Sequence, residues 1–353
     1  MNPVRSGVIK LLLIPVSIVI AFLIVIAAMP RTIEVLREKG MTGIDVHKTD
    51  KPEVPKGGGF VLLFAMVTSL LMVIGGTTFS DAAVNPAILA SLVSILMAGI
   101  IGLLDDNLDF RNRTKVILPL LAAIPLAAVR AGTTTMSIPL IGTVNLGILY
   151  PLVVVPLMMT FIIDSTNMYG GMNGLESGLA AINSSAIVLY VLLWPAFANG
   201  ELPQSSLEAG IVAGALFGAA AAFWVFNRYP ARVLPGDVGR LPMGAGIAAA
   251  LILGNMDRLA IMLYIPFGIN FLLYLVYRLY VKRTGIEYEK FARPREDGTL
   301  EVVGPFTVYW VIPYLRRTTE KTNVQLLLIV QAILAYGTVF LLLMGYPFGL
   351  GWI

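Results

Sequence analysis

Aspartates and basic residues alternate beside several apolar stretches of this chain, and together they could bind a metal and a phosphate. Acidic side chains at membrane depth are costly, so each one near an apolar stretch is informative. Carboxylates offer the hard oxygen ligands that Mg²⁺ prefers, and nearby cations would neutralise a phosphorylated substrate. For any single aspartate, helix capping or interfacial solvation is the commoner explanation. The aspartates are Asp105, Asp106, Asp109, Asp164 and Asp237, and the basic residues are Arg111, Arg113, Lys115, Arg232 and Arg240.

Three separate segments carry these residues, and their agreement favours a functional site. Residues 102–115, GLLDDNLDFRNRTK, place two adjacent carboxylates at the end of an apolar stretch. Residues 164–178, DSTNMYGGMNGLESG, contain no Lys or Arg, and their Asn and Gly residues suit a metal, a nucleobase edge or a phosphate. Residues 227–240, NRYPARVLPGDVGR, place Gly236 beside Asp237. The alternatives are a glycine-rich helix connection for the second segment and a tight turn for the third.

A hydrophilic stretch of about 40 residues, 282–322, is predicted to contain a β-hairpin. Within it, FARPREDGTLEVVG alternates polar and apolar residues around Asp297 and Gly298. Arg293 and Arg295 would lie on one face of the first strand, because side chains alternate with a period of two. Two adjacent guanidinium groups could clamp a pyrophosphate. Ordinary cytoplasmic positive charge is the alternative explanation for both arginines.

The composition excludes a soluble fold and several kinds of site. The chain of 353 residues is 57% hydrophobic and 13% charged, far below the roughly 25% charge of a soluble globular protein. The absence of cysteine excludes disulfides, thiolate catalysis and Cys-ligated zinc. His47 is the one histidine, which excludes a His-rich metal site. The net charge of +4 is too small to indicate nucleic-acid binding, so no nucleic-acid partner is expected.

The apolar stretches predict an all-α polytopic membrane protein with about ten transmembrane helices. A span needs about 20 apolar residues, and the runs at 115–130 and 241–255 are short for one. We predict a single transmembrane domain over residues 1–353, with a cytoplasmic loop insertion at 282–322. The ten runs are 9–29, 57–78, 85–104, 115–130, 147–165, 178–199, 207–227, 241–255, 257–281 and 323–346.

The basic residues predict which side of the membrane is cytoplasmic. In the ten-span topology, 21 of the 25 Lys and Arg residues lie on one side, in the stretches 31–56, 111–115, 228–240 and 278–321. By the positive-inside rule that side is cytoplasmic, and both termini lie outside. The five aspartates then face the cytoplasm. For most of these basic residues, membrane topology and attraction to anionic lipid alone are a sufficient explanation.

Five motifs in a fixed order resemble those of a known enzyme family. They are GIDVHKTDKPEVPKGGG (43–59), the DD segment through RNRTK, NMYGGMNGLE, YPARVLPGD and ARPR. Over about residues 40 to 300 the chain resembles the polyprenyl-phosphate N-acetylhexosamine-1-phosphate transferases, which are membrane enzymes with ten spans. It is most similar to the eukaryotic and archaeal branch, which uses UDP-N-acetylglucosamine and dolichyl phosphate at the start of N-glycan assembly. Each motif is weak alone, but their order and spacing are specific.

The resemblance implies a metal site and a catalytic group. It places Mg²⁺, or alternatively Mn²⁺, on Asn167 and Asp237. The family's paired active-site aspartates match Asp105 and Asp106, and its phosphate-binding lysine matches Lys115. A phosphate monoester is already largely dianionic at neutral pH, so the attacking oxygen hardly needs a general base. The two aspartates are therefore better assigned to positioning and metal-site electrostatics than to proton abstraction.

The resemblance also implies substrate-binding residues. The nucleobase-contacting Asn matches Asn173, the pyrophosphate-binding arginines match Arg293 and Arg295, and the lysine of the first cytoplasmic loop matches Lys48. Two departures weaken this match. Leu234 stands where relatives carry an aromatic residue that stacks on uracil, and proline replaces histidine at position 294. The bacterial muramoyl-pentapeptide branch carries a histidine cluster that this chain lacks, and is therefore excluded.

The implied reaction transfers N-acetylglucosamine-1-phosphate from UDP-N-acetylglucosamine to a polyprenyl phosphate and releases UMP. The partners are these two substrates and membrane lipid, and a homodimer is left open. The active site would face the cytoplasm, at the plasma membrane of a prokaryote or the endoplasmic reticulum of a eukaryote. One alternative is a sibling transferase that uses another UDP-sugar or undecaprenyl phosphate. A more distant alternative is a transporter, for which acids midway along spans and an internal repeat would be expected.

Overall fold

The computed structural model describes residues 10–81, 85–138, 142–198 and 201–346. Long apolar helices dominate these ranges, and a π-helical turn, Tyr150–Val154, leads into the α-helix that begins at Val155. The α-helices are α1 Leu13–Glu38, α2 Gly59–Asp81, α3 Pro86–Leu108, α4 Asn112–Ala122, α5 Ile124–Ala128, α6 Val155–Met168, α7 Leu175–Ala198, α8 Gln204–Asn227, α9 Asp237–Leu253, α10 Asp257–Thr284, α11 Val308–Leu315 and α12 Glu320–Leu343.

Eight helical segments of the described ranges are long and apolar enough to cross a membrane. They are α1, α2, α3, the π-turn with α6, α7, α8, α10 and α12. This confirms the predicted all-α polytopic membrane protein. The count of ten spans, the orientation and the single domain over 1–353 remain predictions. The predicted location of both termini concerns residues 1–9 and 347–353, which lie outside the described residues, as do the predicted span limits at 9 and 199.

The two short apolar runs differ from the eight spans in distinct ways. Residues 115–130 form α4 and α5, which meet at Ala123. Pro125 is the second residue of α5 and has no N–H to continue the hydrogen-bond ladder of α4, so the helix breaks there. Residues 241–255 belong to α9, which has 17 residues. Every residue of α9 except Asp237 and Arg240 is buried, against α2, α3, α6, α7 and α8.

Three small antiparallel hairpins complete the described structure. Strands β1 (Thr42–Ile44) and β2 (Glu53–Pro55) bracket the first loop, and β3 (Thr135–Ile138) pairs with β4 (Gly142–Asn145). Strands β5 (Arg293–Pro294) and β6 (Leu300–Glu301) confirm the hairpin predicted in 282–322. Its turn is closed by the Asp297 carboxylate, which accepts from the Thr299 N–H and hydroxyl.

The three segments that carry the predicted site meet at one end of the helices. The Val238 N–H donates to Asp106, which joins segment 227–240 to segment 102–115. The Ala231 N–H donates to Asn173, which joins it to segment 164–178. The β3–β4 hairpin contacts the start of α10 instead, where the Ser137 N–H donates to Asp257.

Candidate active site

The end of α3 and the start of α9 approach closely because both carry glycine where they meet. Gly102 packs directly on the backbone of Asp237 and Val238, so a side chain at position 102 would push the helices apart. Gly236 has a φ of +69°, and a Cβ there would lie 2.7 Å from Asp106 Oδ2. The conformation and the contact both require glycine. These glycines bring the carboxylates of Asp105 and Asp106 to the N-terminus of α9.

Each of the three carboxylates in this cluster has its own cation. The shortest N–O distance is 2.9 Å for Lys115–Asp105, 3.0 Å for Lys56–Asp106 and 3.6 Å for Arg240–Asp237. We call these six side chains the carboxylate–cation cluster, and its formal charge is three negative and three positive, or zero. Such pairing limits the cost of holding charges at the edge of a membrane.

Two of the carboxylates are also held by backbone N–H groups. Asp105 Oδ1 accepts from the Phe110 N–H at 3.0 Å, and Asp106 Oδ2 accepts from the Val238 N–H at 3.0 Å. Asp105 is buried, with 4% of its side chain exposed. Both groups are therefore fixed in orientation, which is the condition for positioning other charges.

Arg240 connects the cluster to the glycine-rich segment through Glu176. Arg240 Nη2 lies 2.8 Å from Glu176 Oε1, and the same oxygen accepts from the Gly171 N–H at 2.8 Å. Glu176 is buried and Arg240 is half-buried, so this ion pair is partly shielded from water. The predicted site residues omitted Glu176 and Lys56. Both stand in quoted motifs, Glu176 as the last letter of NMYGGMNGLE and Lys56 just before GGG.

Lys48 and Asn173 form a second, buried network beside this cluster. The Lys48 ammonium contacts Asp45, Glu320 Oε2 at 3.3 Å and Asn173 Oδ1 at 2.8 Å, and 14% of its side chain is exposed. The Asn173 N–H donates to Glu320 Oε1 at 2.7 Å, and Asn173 Oδ1 also accepts from Ala231. The side-chain oxygen of Asn173 is thus committed within the protein, which leaves its NH₂ group for a ligand. No sequence motif pointed to Glu320.

His47 packs in the same network as a neutral, buried side chain. Its Nδ1 lies 3.8 Å from Glu320 Oε1, its Nε2 has no hydrogen-bond partner among the described residues, and its ring meets the edge of Phe291. Burial lowers the pKa of His47 to about 4. Asp45, His47 and Glu320 are the one group of three His, Cys, Asp or Glu side chains in the described ranges whose ligand atoms could hold a metal. The Lys48 ammonium already contacts both carboxylates of this group, so a metal there would have to displace it.

A cavity of about 740 Å³ opens beside the Lys48 network. Its volume is in the range of small-molecule sites. The Tyr229 ring lies 4.7 Å from Lys48 Nζ and is partly exposed at this cavity. Leu234 sits outside it, where its side chain lies next to Gly43. The lining comprises residues 45, 47–50, 52–54, 229–231, 297–298 and 319–321.

The remaining predicted site residues belong to neither of these two clusters. Asn167 is half-buried in the last turn of α6, and its side chain makes no hydrogen bond within the described ranges. Arg293 pairs with Glu289 at 2.8 Å. Arg295 donates to the Leu300 carbonyl at 2.8 Å. Both arginines therefore have partners in their own loop, and binding a pyrophosphate would require them to exchange these partners.

The fold and site define a multi-pass membrane protein with a charge-paired polar site at one end of its helices. The chain belongs to glycosyl transferase family 4, whose sequence profile matches residues 88–255. A Saccharolobus solfataricus relative is 30% identical over 291 residues, which is 82% of this chain and 84% of the relative. Its name provisionally assigns it UDP-N-acetylglucosamine–dolichyl-phosphate N-acetylglucosaminephosphotransferase activity.

Two further relatives show how widely the similarity extends. The Dictyostelium discoideum UDP-N-acetylglucosamine–dolichyl-phosphate N-acetylglucosaminephosphotransferase is 27% identical, over 69% of this chain and 67% of that protein. A phospho-N-acetylmuramoyl-pentapeptide-transferase of a Geobacillus species is 31% identical, over 76% of this chain and 84% of that protein. The relatives indicate transferase activity, and identity alone does not separate the two branches.

Proposed function

We propose that this protein transfers N-acetylglucosamine-1-phosphate from UDP-N-acetylglucosamine to a dolichyl or other polyprenyl phosphate. The products are lipid-pyrophosphoryl-N-acetylglucosamine and UMP, and the reaction begins lipid-linked oligosaccharide synthesis for N-glycosylation. The observation that carries this proposal is the carboxylate–cation cluster at the ends of membrane helices. It offers oxygen ligands and fixed positive charge where a water-soluble nucleotide and a lipid phosphate can meet. The names of the archaeal and eukaryotic relatives support the same substrates.

Asn167 and Asp237 both offer oxygen atoms that suit a hard divalent cation. The Asn167 side chain has no hydrogen-bond partner in the part of the chain that the structure describes, and the Asp237 carboxylate is held by a long contact to Arg240. Amide and carboxylate oxygens are ligands that Mg²⁺ accepts. We therefore assign Mg²⁺, with Mn²⁺ as an alternative, to Asn167 and Asp237 rather than to the Asp45, His47 and Glu320 group. Bound there, the ion would neutralise charge on the substrate phosphates.

Asp105 and Asp106 orient the site rather than move a proton. Each already accepts from a lysine and from a backbone N–H. The lipid phosphate is largely dianionic at neutral pH and needs no strong base. Asp105 therefore holds Lys115 in place, and Lys115 meets the phosphate charge that builds up as the two anionic substrates approach.

Apolar side chains beside the carboxylates suit a polyprenyl tail. Leu104 and Leu108 on α3, and Val116 and Ile117 on α4, are exposed large hydrophobic residues. They flank Asp105, Asp106 and Lys115 in the sequence, so a lipid chain lying on them would bring its phosphate to the cluster. The distribution of Lys and Arg supports a cytoplasmic site, at the plasma membrane of a prokaryote or the endoplasmic reticulum of a eukaryote.

Lys48 and Asn173 together support nucleotide binding on the other side of the cluster. The Lys48 ammonium fixes the Asn173 side chain, whose NH₂ group can donate to a carbonyl of uracil. Lys48 itself is buried and has three acceptors, so we assign it to positioning Asn173. Arg293 and Arg295 lie on the adjacent hairpin and would reach a pyrophosphate by leaving Glu289 and Leu300.

The direct test is UMP release by the purified protein with Mg²⁺, a panel of UDP-sugars and several polyprenyl phosphates. UDP-N-acetylglucosamine with dolichyl phosphate should give the highest rate. Asp237→Asn and Asn167→Ala should abolish release while the protein stays folded, and Glu34→Gln, an exposed change on α1, should not affect it. Full turnover in both site variants would refute the metal assignment. Preference for another UDP-sugar or for undecaprenyl phosphate would favour a sibling transferase, and substrate flux across sealed vesicles without UMP would favour a transporter.

A further inference from the structure

Lys56 is fixed beside the start of α9 by its backbone neighbours. The Leu234 N–H donates to the Pro55 carbonyl, and the N–H groups of Gly57 and Gly58 both donate to the Leu234 carbonyl. The Lys56 N–H donates to the Met41 carbonyl at 2.9 Å. The segment around Lys56 therefore runs along the residues that immediately precede Gly236 and Asp237. Its side chain starts from a fixed point within reach of the carboxylate–cation cluster.

Lys56 is the most accessible cation of that cluster. Its side chain is 44% exposed, compared with 33% for Lys115 and 25% for Arg240. Lys115 and Arg240 each have a second carboxylate within 4.0 Å, which are those of Asp109 at 3.5 Å and Glu176 at 2.8 Å. Within the described ranges Lys56 has one carboxylate partner, Asp106. Lys56 is the more exposed partner of this pair, since 15% of the Asp106 side chain is exposed, and water at the ammonium screens the attraction. Of the three cations, the Lys56 ammonium can therefore leave its carboxylate most easily.

We propose that Lys56 is a substrate-binding residue that contacts the diphosphate of the nucleotide sugar. This inference rests on the proposed function. On binding, the ammonium would leave Asp106 Oδ1 for a phosphate oxygen, and Asp106 would keep its hydrogen bond from the Val238 N–H. The nucleotide is the chosen substrate because the loop that carries Lys56 also carries Lys48, which holds Asn173. Lys56 would thus supply a positive charge from the first loop, in addition to those on α4, α9 and the β5–β6 hairpin.

Affinity for UDP, measured by calorimetry with Mg²⁺ present, tests this contact without requiring transfer. Lys56→Gln should weaken UDP binding about tenfold, the usual effect of losing a charge-assisted hydrogen bond. Lys56→Arg keeps the charge and should stay within about threefold of the wild type. Lys39→Gln is the matched control, because Lys39 is an exposed lysine at the end of α1 with no side-chain partner among the described residues. It should change UDP affinity by less than about twofold.

Steady-state kinetics separate binding from positioning. A phosphate contact predicts a higher KM for the UDP-sugar in Lys56→Gln, with the KM for the lipid phosphate unchanged. A lower kcat with unchanged UDP affinity would instead make Lys56 a positioning residue for Asp106 and would overturn the proposal, as would a rise only in the KM for the lipid phosphate. Wild-type protein that binds UDP but releases no UMP would refute the proposed function and leave the UDP comparison valid. Wild-type protein that does neither would overturn both.

Discussion

Replacing Glu176 by glutamine should remove the nearest carboxylate partner of Arg240 while leaving the shape of the site almost unchanged. The Glu176 carboxylate lies 2.8 Å from Arg240 and also accepts from the Gly171 N–H, in a buried position. Removing one partner of a buried ion pair typically costs about 3–5 kcal/mol, because the other charge stays buried without compensation. Arg240 has 25% of its side chain exposed and lies 3.6 Å from Asp237, so water and this second carboxylate recover part of the loss. We therefore expect a destabilisation near the lower end, about 3 kcal/mol.

The control for this prediction is an ion pair of the same length on the surface. Arg31 and Glu34 are also 2.8 Å apart, but both side chains are largely exposed. Glu34→Gln should cost less than about 1 kcal/mol, because water screens an exposed pair. Reversible unfolding of both variants in mixed micelles would measure the difference. The double variant Glu176→Gln/Arg240→Gln should lose less stability than the sum of its single changes.

The same change should impair activity through Asp237. Without Glu176, Arg240 should move toward Asp237 and compete with a metal for its carboxylate. We expect Glu176→Gln to require a higher Mg²⁺ concentration for half-maximal UMP release, by about tenfold if the pairing strengthens by about 1.4 kcal/mol. Equal destabilisation by Glu176→Gln and Glu34→Gln, together with an unchanged Mg²⁺ requirement, would refute this account of the Arg240 pairings.

Two further predictions concern His47 and Gly236. The pKa of His47 falls from 6.5 to about 4 on burial, so the unfolded chain binds the proton more tightly than the folded one. Stability should be complete above about pH 6.5 and should fall by roughly 3 kcal/mol as the pH drops to 4, and His47→Gln should remove this component in pH-dependent unfolding. Gly236→Ala should abolish UMP release and destabilise the protein by about 1–3 kcal/mol, since its Cβ would meet Asp106 in a strained backbone conformation. Normal UMP release by the alanine variant would contradict the close approach of α3 and α9.

The sequence was sufficient to predict the class of fold and to single out three segments that the structure brings together. Apolar runs of about 20 residues have few alternatives to membrane helices. The alternation around Asp297 and Gly298 correctly predicted the hairpin. Segments 102–115, 164–178 and 227–240 stand at the ends of the third and fifth predicted spans and before the eighth, so the predicted topology put them on one side of the membrane. These features depend on local composition and on chain direction, which a single sequence records.

The individual ion pairs could not be predicted in the same way. Glu320 is 272 residues from Lys48, and Lys56 pairs with Asp106 across two helices. Such contacts depend on which helices pack against one another, and the apolar surfaces of the helices do not determine that arrangement. The neighbours of α9 are determined by close backbone contacts at Gly102 and Gly239, which look like ordinary glycines in the sequence. Because almost all of α9 is buried among other helices, its sequence is apolar on every side, and the run at 241–255 therefore resembled a short membrane span.

The pairings of the cluster suggest how three carboxylates can stand beside highly charged phosphate substrates. With Asp105, Asp106 and Asp237 each paired, none of the three carboxylates repels an approaching phosphate as a free anion would. Lys115 and Arg240 each have a second carboxylate close by. Arg240 therefore keeps its ion pair with Glu176 when Asp237 becomes a metal ligand. Among the described residues Asp106 is the one carboxylate paired with Lys56, so Lys56 can turn toward a phosphate more easily than the other two cations. The arrangement therefore combines fixed charges that shape the site with one exposed charge that can follow the substrate.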